Sequence, residues 1–188
     1  MRRARGIKLA LHQAYPASLD ELWVLFSDSD YPERKYRSLG ATSFRMLKFR
    51  AAPRRIEVEF ERRIPMALER MPGWAAALGR TFADDEITLR HSGVWRRLRK
   101  TEARTDLEVS LVGGASGVPL SIQGEGLIAQ TGPDLTCFDL HLAVDCQLPL
   151  IGGQIARLVS RQMKEEFVAD YDFTLEYIQR RLPAAGAR

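Results

Sequence analysis

The sequence LPLIGGQIARLVSRQMKEEF, residues 148–167, joins an alternating apolar strand to a helical pattern that continues to about residue 182. A helix that begins near residue 151 would be ~48 Å long at ~1.5 Å per residue, which is longer than a compact domain of this size needs. Its apolar residues recur every four positions, at Ile151, Ile155, Val159, Met163, Phe167, Tyr171 and Leu175. Each step rotates this row by about 40°, so the row winds around the helix. We therefore expect the first half of the helix to lie across a curved sheet and the second half to be held differently or bent.

Two adjacent glycines, Gly152 and Gly153, stand where the strand turns into this helix. A close approach of the helix start to the last strand requires a residue without a side chain, and a sharp turn can require a positive φ. A phosphate cradle at the helix N-terminus is the alternative interpretation. No nucleotide-binding fingerprint surrounds the two glycines, so we interpret them as structural.

Capping and alternation patterns in the rest of the chain predict one strand, two short helices and six further strands. Ser18 and Glu21 form a capping-box pattern at the start of the first helix, and Asp30 with Pro32 can open the second. Alternating apolar and polar residues predict strands at about residues 7–11, 41–50, 54–62, 86–95, 106–111, 119–128 and 136–148. Short turns between the later strands favour an antiparallel meander.

One connection is too long for a tight turn. Residues 65–82 separate two strands and carry Met71, Trp74 and Leu78, so a short helix or an ordered flap fits them better than a hairpin. We predict that Trp74 covers a cavity. Packing of this segment as a small satellite of the core is the alternative interpretation.

Composition excludes several classes of protein. The net charge is only +4, and its basic clusters fall at chain ends and turns, which favours solvated surface over nucleic-acid binding. No run approaches the roughly 18 apolar residues of a membrane span, and the basic start lacks the apolar region of a signal peptide. We expect a cytoplasmic protein with no specific nucleic acid partner, with transient contact to a membrane surface left open. Neither a monomer nor a homodimer is excluded.

The order of predicted elements resembles the START-like, or helix-grip, superfamily, which includes Bet v 1-like proteins and polyketide cyclases. The segment YPASLDELWVLFSD, residues 15–28, followed by SLGA, looks like the entry segment of these proteins. The segment VPLSIQGEGLI, residues 118–128, followed by LPLIGGQIARLVSRQM, is similar to an uncharacterised bacterial branch, the DUF2505 family. These motifs are structural and carry no catalytic signature.

This resemblance implies an α+β fold in which a curved, seven-stranded antiparallel sheet wraps around the long C-terminal helix. The implied order is β-α-α-β-β-β-β-β-β-α, in a single domain over residues 1–183 with a frayed tail at 184–188. Many such families hold lipids, sterols, quinones or other apolar molecules between sheet and helix, and some members are enzymes. No ligand or catalytic residue is assigned in this branch, so none is carried over.

The inward face of the predicted strands and helix supplies the candidate binding site. We predict that its apolar walls are formed by Ile87, Leu89, Trp95, Leu107, Val109, Leu120, Ile122, Phe138, Leu140, Leu142, Val144, Ile155, Val159 and Met163. Such a cavity would bind a small hydrophobic or amphipathic ligand, such as a lipid, a quinone or a polyketide-like molecule.

Three polar residues share this predicted inward face. His91 is a candidate handle for the ligand or a general acid/base, and a hydrogen-bonded core histidine is the alternative. Arg62 continues the register of Phe60 and can hold a carboxylate or phosphate, unless the strand end turns it to solvent. Glu166, like Gln162, falls at helical angles that face the sheet, unless the apolar row has already turned away.

Two other classes of function stay open. A cyclase- or hydrolyase-like enzyme would use His91 as acid/base, although the sequence offers no second convincing catalytic partner. A protein-interaction module would have its groove filled by side chains. We predict no cofactor and no metal site, because no histidines or cysteines have ligand spacing.

Overall fold

The computed structural model of the chain describes residues 6–65, 73, 86–98 and 106–181. The predicted order of elements is confirmed. The strands are β1 Ile7–Tyr15, β2 Ser43–Ala52, β3 Arg55–Pro65, β4 Glu86–Arg97, β5 Asp106–Ala115, β6 Val118–Gly132 and β7 Leu135–Cys146. The helices with described bounds are α1 Leu19–Phe26, α2 Tyr31–Ser38 and α3 Gly152–Arg181. The predicted flap, with Met71, Trp74 and Leu78, lies outside the described residues.

The strands form one antiparallel sheet in the order β1-β7-β6-β5-β4-β3-β2. Strands β2 to β7 follow one another as neighbours, and β1 joins the sheet beside the last strand, with Leu9 opposite Leu142. This pairing puts the first strand next to the strand that leads into α3. The start of α3 therefore lies close to both strands that it contacts most, β7 and β1.

The two halves of α3 pack against different partners, as the winding apolar row predicts. Ala156, in the first half, belongs to a cluster of β6 and β7 residues that includes Ile122 and Val144. Tyr177 and Ile178, in the second half, pack in a larger cluster that also holds α1, α2 and the far ends of several strands. The first half of α3 thus packs against β6 and β7, and the second half packs against α1 and α2.

The capping box at the start of α1 is confirmed. The Glu21 backbone N–H donates to Ser18 Oγ at 3.3 Å, and the Ser18 N–H donates to Glu21 Oε2 at 2.7 Å. These bonds satisfy backbone donors that the first turn of a helix leaves unpaired. They fix where α1 begins, and the helix then buries Leu19 and Leu22.

The turn into α3 confirms one expectation and corrects another. A Cβ on Gly152 would overlap the carbonyl oxygen of Cys146 and lie 3.1 Å from its carbonyl carbon, so the close approach requires glycine. The prediction of a positive φ at the glycines is wrong: the turn instead puts Leu150 at φ 66°. The chain reverses just before the glycines, at a fully exposed leucine.

None of the described helices combines the length and apolar composition needed to cross a membrane.

The Gly152 contact predicts a position-specific loss of stability. Gly152→Ala should lower the free energy of unfolding by about 1–3 kcal/mol, because backbone atoms must move to admit the methyl group. Gly153→Ala is the matched control, since nothing lies within 4 Å of its added Cβ. It should be neutral or stabilising by up to about 1 kcal/mol. Urea unfolding of both variants measures the difference, and equal losses would contradict the close approach.

Candidate ligand-binding site

The structure brings the three polar candidates into direct contact. Arg62 is buried, with only 3% of its side chain exposed, and its Nη2 lies 2.5 Å from Glu166 Oε1. Its Nε donates to His91 Nε2 at 3.2 Å. A residue of β3, a residue of β4 and a residue of α3 therefore form one hydrogen-bonded group, which we call the polar cluster.

Strand register explains why Arg62 points inward. β3 remains regular to Pro65, so Arg62 keeps the inward orientation of the buried Phe60. The alternative interpretation, in which a strand end turns Arg62 to solvent, is wrong. Because Phe60 pairs with His91 across the β3–β4 ladder, the imidazole reaches Arg62 diagonally.

An aromatic frame surrounds the polar cluster. The Tyr36 ring of α2 lies 4.3 Å from the guanidinium carbon of Arg62, close enough for a cation–π contact. The Phe60 ring stacks on the His91 ring at 5.0 Å and on the Phe44 ring at 5.1 Å. These planar contacts fix the orientation of both Arg62 and His91. The guanidinium is thus held by rings as well as by hydrogen bonds.

His91 is neutral at physiological pH. Because a guanidinium can only donate, His91 Nε2 must accept, and the ring proton is on Nδ1. Burial, followed by the nearby charges of Arg62 and Lys35, lowers the pKa of His91 from 6.5 to about 3. An imidazole with this pKa is a weak base and is not protonated near neutral pH.

A second ion pair lies beside the polar cluster, and sequence reasoning missed it. Lys35 Nζ lies 3.3 Å from Asp170, with 15% and 26% of the two side chains exposed. Burial opposes the charge on Lys35, but Asp170, helped by Tyr36 and Tyr31, outweighs it and raises the lysine pKa. One signal was present in the sequence, because Asp170 follows Glu166 by one helical turn and therefore shares its face.

The predicted apolar wall divides into two groups. The half-buried members, which keep some surface free, are Ile87, Leu89, Trp95, Phe138, Ile155, Val159 and Met163. The buried members are Leu107, Val109, Leu120, Ile122, Leu140, Leu142 and Val144. Three of these, Leu107, Val109 and Val144, are at most 1% exposed, so other side chains enclose them and they leave almost no surface for a ligand. Gln162 is exposed, so the expectation that it faces the sheet is wrong.

Two of the surface depressions among the described residues lie over the strands of the sheet. One of about 170 Å³ is lined by β2, β3 and β4, and one of about 370 Å³ is lined by β3, β4, β5 and the β5–β6 turn. The larger depression includes His91 and Gly113 in its lining. Neither is lined by α3. The cavity between sheet and helix therefore stays a prediction.

Solved structures share this architecture. The Zhui aromatase/cyclase from Streptomyces sp. R1128 matches with a TM-score of 0.56 at 14% identity, covering 97% of this chain and 99% of that chain. TTHA0849 from Thermus thermophilus matches with a TM-score of 0.50 at 14% identity, covering 96% and 100%. A START superfamily protein from Mycobacterium smegmatis matches with a TM-score of 0.45 at 13% identity, covering 91% and 98%. Likenesses at this identity show the fold alone.

The fold is the helix-grip fold, which the chain shares with the Zhui aromatase/cyclase. Within it, the chain belongs to the family described as protein of unknown function (DUF2505), whose model matches residues 10–178. A comparison with curated proteins finds no match.

The low pKa of His91 predicts a pH dependence of stability. Between pH 6.5 and pH 3 the unfolded chain binds a proton that the folded state excludes. The contribution of His91 is therefore complete above pH 6.5 and is lost as the pH falls, at about 1.4 kcal/mol per pH unit within that window. Urea unfolding of the wild type between pH 7 and pH 4 measures the slope.

A glutamine at position 91 isolates this effect. In His91→Gln the amide oxygen can still accept from Arg62 but does not titrate, so the pH slope should be shallower than in the wild type. His141→Gln, at an exposed histidine of β7, is the control and should keep the wild-type slope. Identical slopes in all three proteins would contradict a half-buried His91 that stays neutral in the folded state.

Proposed function

We propose that this protein binds a small hydrophobic or amphipathic molecule between the concave face of its sheet and α3, with the polar cluster at one end of the site. The observation that carries the proposal is a buried arginine, tied to His91 and Glu166, within an inward face that is mostly apolar. A lipid, a quinone or a polyketide-like molecule has the required combination of apolar body and polar group. We propose a carrier or binding role in the cytoplasm, by a monomer or a homodimer.

Half-buried apolar side chains on both sides of the site support this proposal. Met163 of α3 packs against two separate core clusters, one that contains Ile122 and one that contains Leu140. Phe167 and Phe138 pack together with ring centroids 6.2 Å apart and are both half-buried. When a ligand covers apolar surface that is still partly accessible, its removal from water contributes about 25 cal/mol per Å² to the free energy of binding, before the costs of association.

Large side chains that lie flat on the sheet also favour a space beneath the helix. A Cβ on Gly93 would lie 2.7 Å from the Trp95 ring, so the indole covers the glycine. Leu142 covers Gly124 in the same way on β6. Because these side chains lie over glycines, they extend less far from the sheet than side chains that point straight away from it. Such a surface leaves room for a flat or elongated ligand under α3.

The enzymatic alternative has weaker support. The Zhui protein is an aromatase/cyclase of the same fold, but the likeness extends to the fold alone. His91 would have to act as acid or base with a pKa of about 3, which is far from the near-neutral value that proton transfer favours. We therefore propose that His91 orients a bound molecule rather than transferring a proton to it.

Filling the space beside Met163 should block binding. Met163→Trp places a bulky ring between α3 and the sheet, and we expect at least about a tenfold loss of affinity for an apolar fluorophore such as N-phenyl-1-naphthylamine. Val168→Trp is the matched control, because Val168 is 61% exposed on the same helix. Fluorescence titration measures both affinities. Equal affinities in two folded variants would contradict a site between helix and sheet.

Native mass spectrometry of the purified protein, followed by solvent extraction, tests the proposal as a whole. We expect an apolar adduct at one molecule per chain, or one-to-one binding when the apo protein is titrated with the fluorophore. A protein that carries no adduct and binds no apolar probe would contradict the proposed function.

A further inference from the structure

We propose that the polar group of the ligand is an uncharged hydroxyl, which accepts a hydrogen bond from His91 and donates one to Glu166. This inference rests on the proposed function and names the class of molecule that the site selects. Phenols and aliphatic alcohols both carry such a group. Carboxylates and phosphates, which a buried arginine would ordinarily suggest, are the molecules that the site rejects.

The donor of the site is His91 Nδ1. Its Nε2 is occupied by Arg62, and the proton therefore lies on Nδ1, which has no hydrogen-bond partner among the described residues. The Cβ that Gly113 lacks would lie 3.6 Å from Nδ1, so the strand beside this nitrogen presents no side chain. A ligand oxygen can therefore approach Nδ1 from the β5 side. An uncharged N–H donor of this kind suits any oxygen acceptor.

The acceptor of the site is the Glu166 carboxylate. Arg62 uses Oε1, whereas Oε2 has no hydrogen-bond partner within the described part of the chain, and 32% of the side chain is exposed. A carboxylate oxygen can only accept, so it requires a ligand atom that carries a proton. A hydroxyl has the chemistry to meet both requirements, since it can accept from His91 and donate to Glu166. A carboxylate or phosphate that carries no proton meets only the first.

The charges around the site exclude an anion. Arg62 is 3% exposed, is neutralised by Glu166 and is covered by the Tyr36 ring, so its charge is not offered to a ligand. Lys35, the other cation beside the cluster, is paired with Asp170. An anionic ligand would therefore meet the Glu166 carboxylate without a free cation among the described residues of this cluster. Arg62 holds Glu166 in place instead of binding the ligand itself.

Two matched pairs of probes test the inference at pH 7. The aromatic pair is 2-naphthol and 2-naphthoate, and the aliphatic pair is 1-decanol and decanoate. We expect the wild-type protein to bind the alcohol of at least one pair about tenfold or more tightly than the corresponding acid, as measured by calorimetry or by competition with the apolar fluorophore. The pair that shows the larger preference identifies the ligand body as aromatic or aliphatic.

Glu166→Gln should remove most of the preference for the alcohol over the acid. The amide oxygen can still accept from Arg62, but the negative charge is gone, so the affinity for 2-naphthoate should rise about tenfold. Glu165→Gln is the matched control, because Glu165 is exposed on the neighbouring position of α3 and its loss should leave all four affinities unchanged. Circular dichroism checks that both variants are folded. The preference of the wild type is a second test that does not depend on either variant.

The outcomes separate the two proposals. If the wild type binds both acids as tightly as the alcohols, the hydroxyl preference is wrong, while the apolar site stands. If none of the four probes binds, the proposed function fails together with the inference. If Glu166→Gln leaves the affinity for 2-naphthoate unchanged, Glu166 does not set the charge preference and the inference is overturned.

Discussion

A buried guanidinium is costly unless its charge is neutralised and its donors are used, and this constraint organises the inward side of the protein. Arg62 meets it with Glu166, which lies 104 residues later on α3, and with His91 on the neighbouring strand. The ion pair therefore fixes how the helix sits on the sheet. The polar cluster therefore holds α3 against the sheet, and it also forms one end of the proposed binding site.

The rest of the architecture serves this arrangement. The register of β3 and β4 puts His91 diagonal to Arg62, and the Tyr36 ring of α2 covers the guanidinium. The Lys35–Asp170 pair joins α2 to α3 one helical turn beyond Glu166, so the helix is tied to two elements in succession. At its other end, the Gly152 approach to Cys146 fixes where α3 begins. The polar cluster thus lies between two points at which the helix is anchored.

Much of this could be predicted from the sequence, because alternation and helical spacing are local properties. They indicate the order of elements, the winding contacts of α3 and the inward direction of His91. Arg62 was harder, since no local pattern shows whether a strand continues for the three residues that keep it inside. The pairing of Lys35 with Asp170 depends on how α2 packs against α3, a tertiary contact that spacing alone does not encode. The positive φ falls on Leu150 because the turn completes before the glycines begin, which composition cannot reveal.

A neutral His91, held in the polar cluster with its Nδ1 proton directed at the ligand, is the feature on which the preference for a hydroxyl depends. Nuclear magnetic resonance of the imidazole nitrogens at pH 7, with and without 2-naphthol, observes it directly. We expect a neutral, Nδ1-protonated His91 in the free protein, and a change in its Nδ1 shift on binding while the exposed His12 and His141 stay unaffected. A protonated His91 ring, or naphthol binding that leaves its Nδ1 shift unchanged, would show that His91 does not hold the ligand in this way.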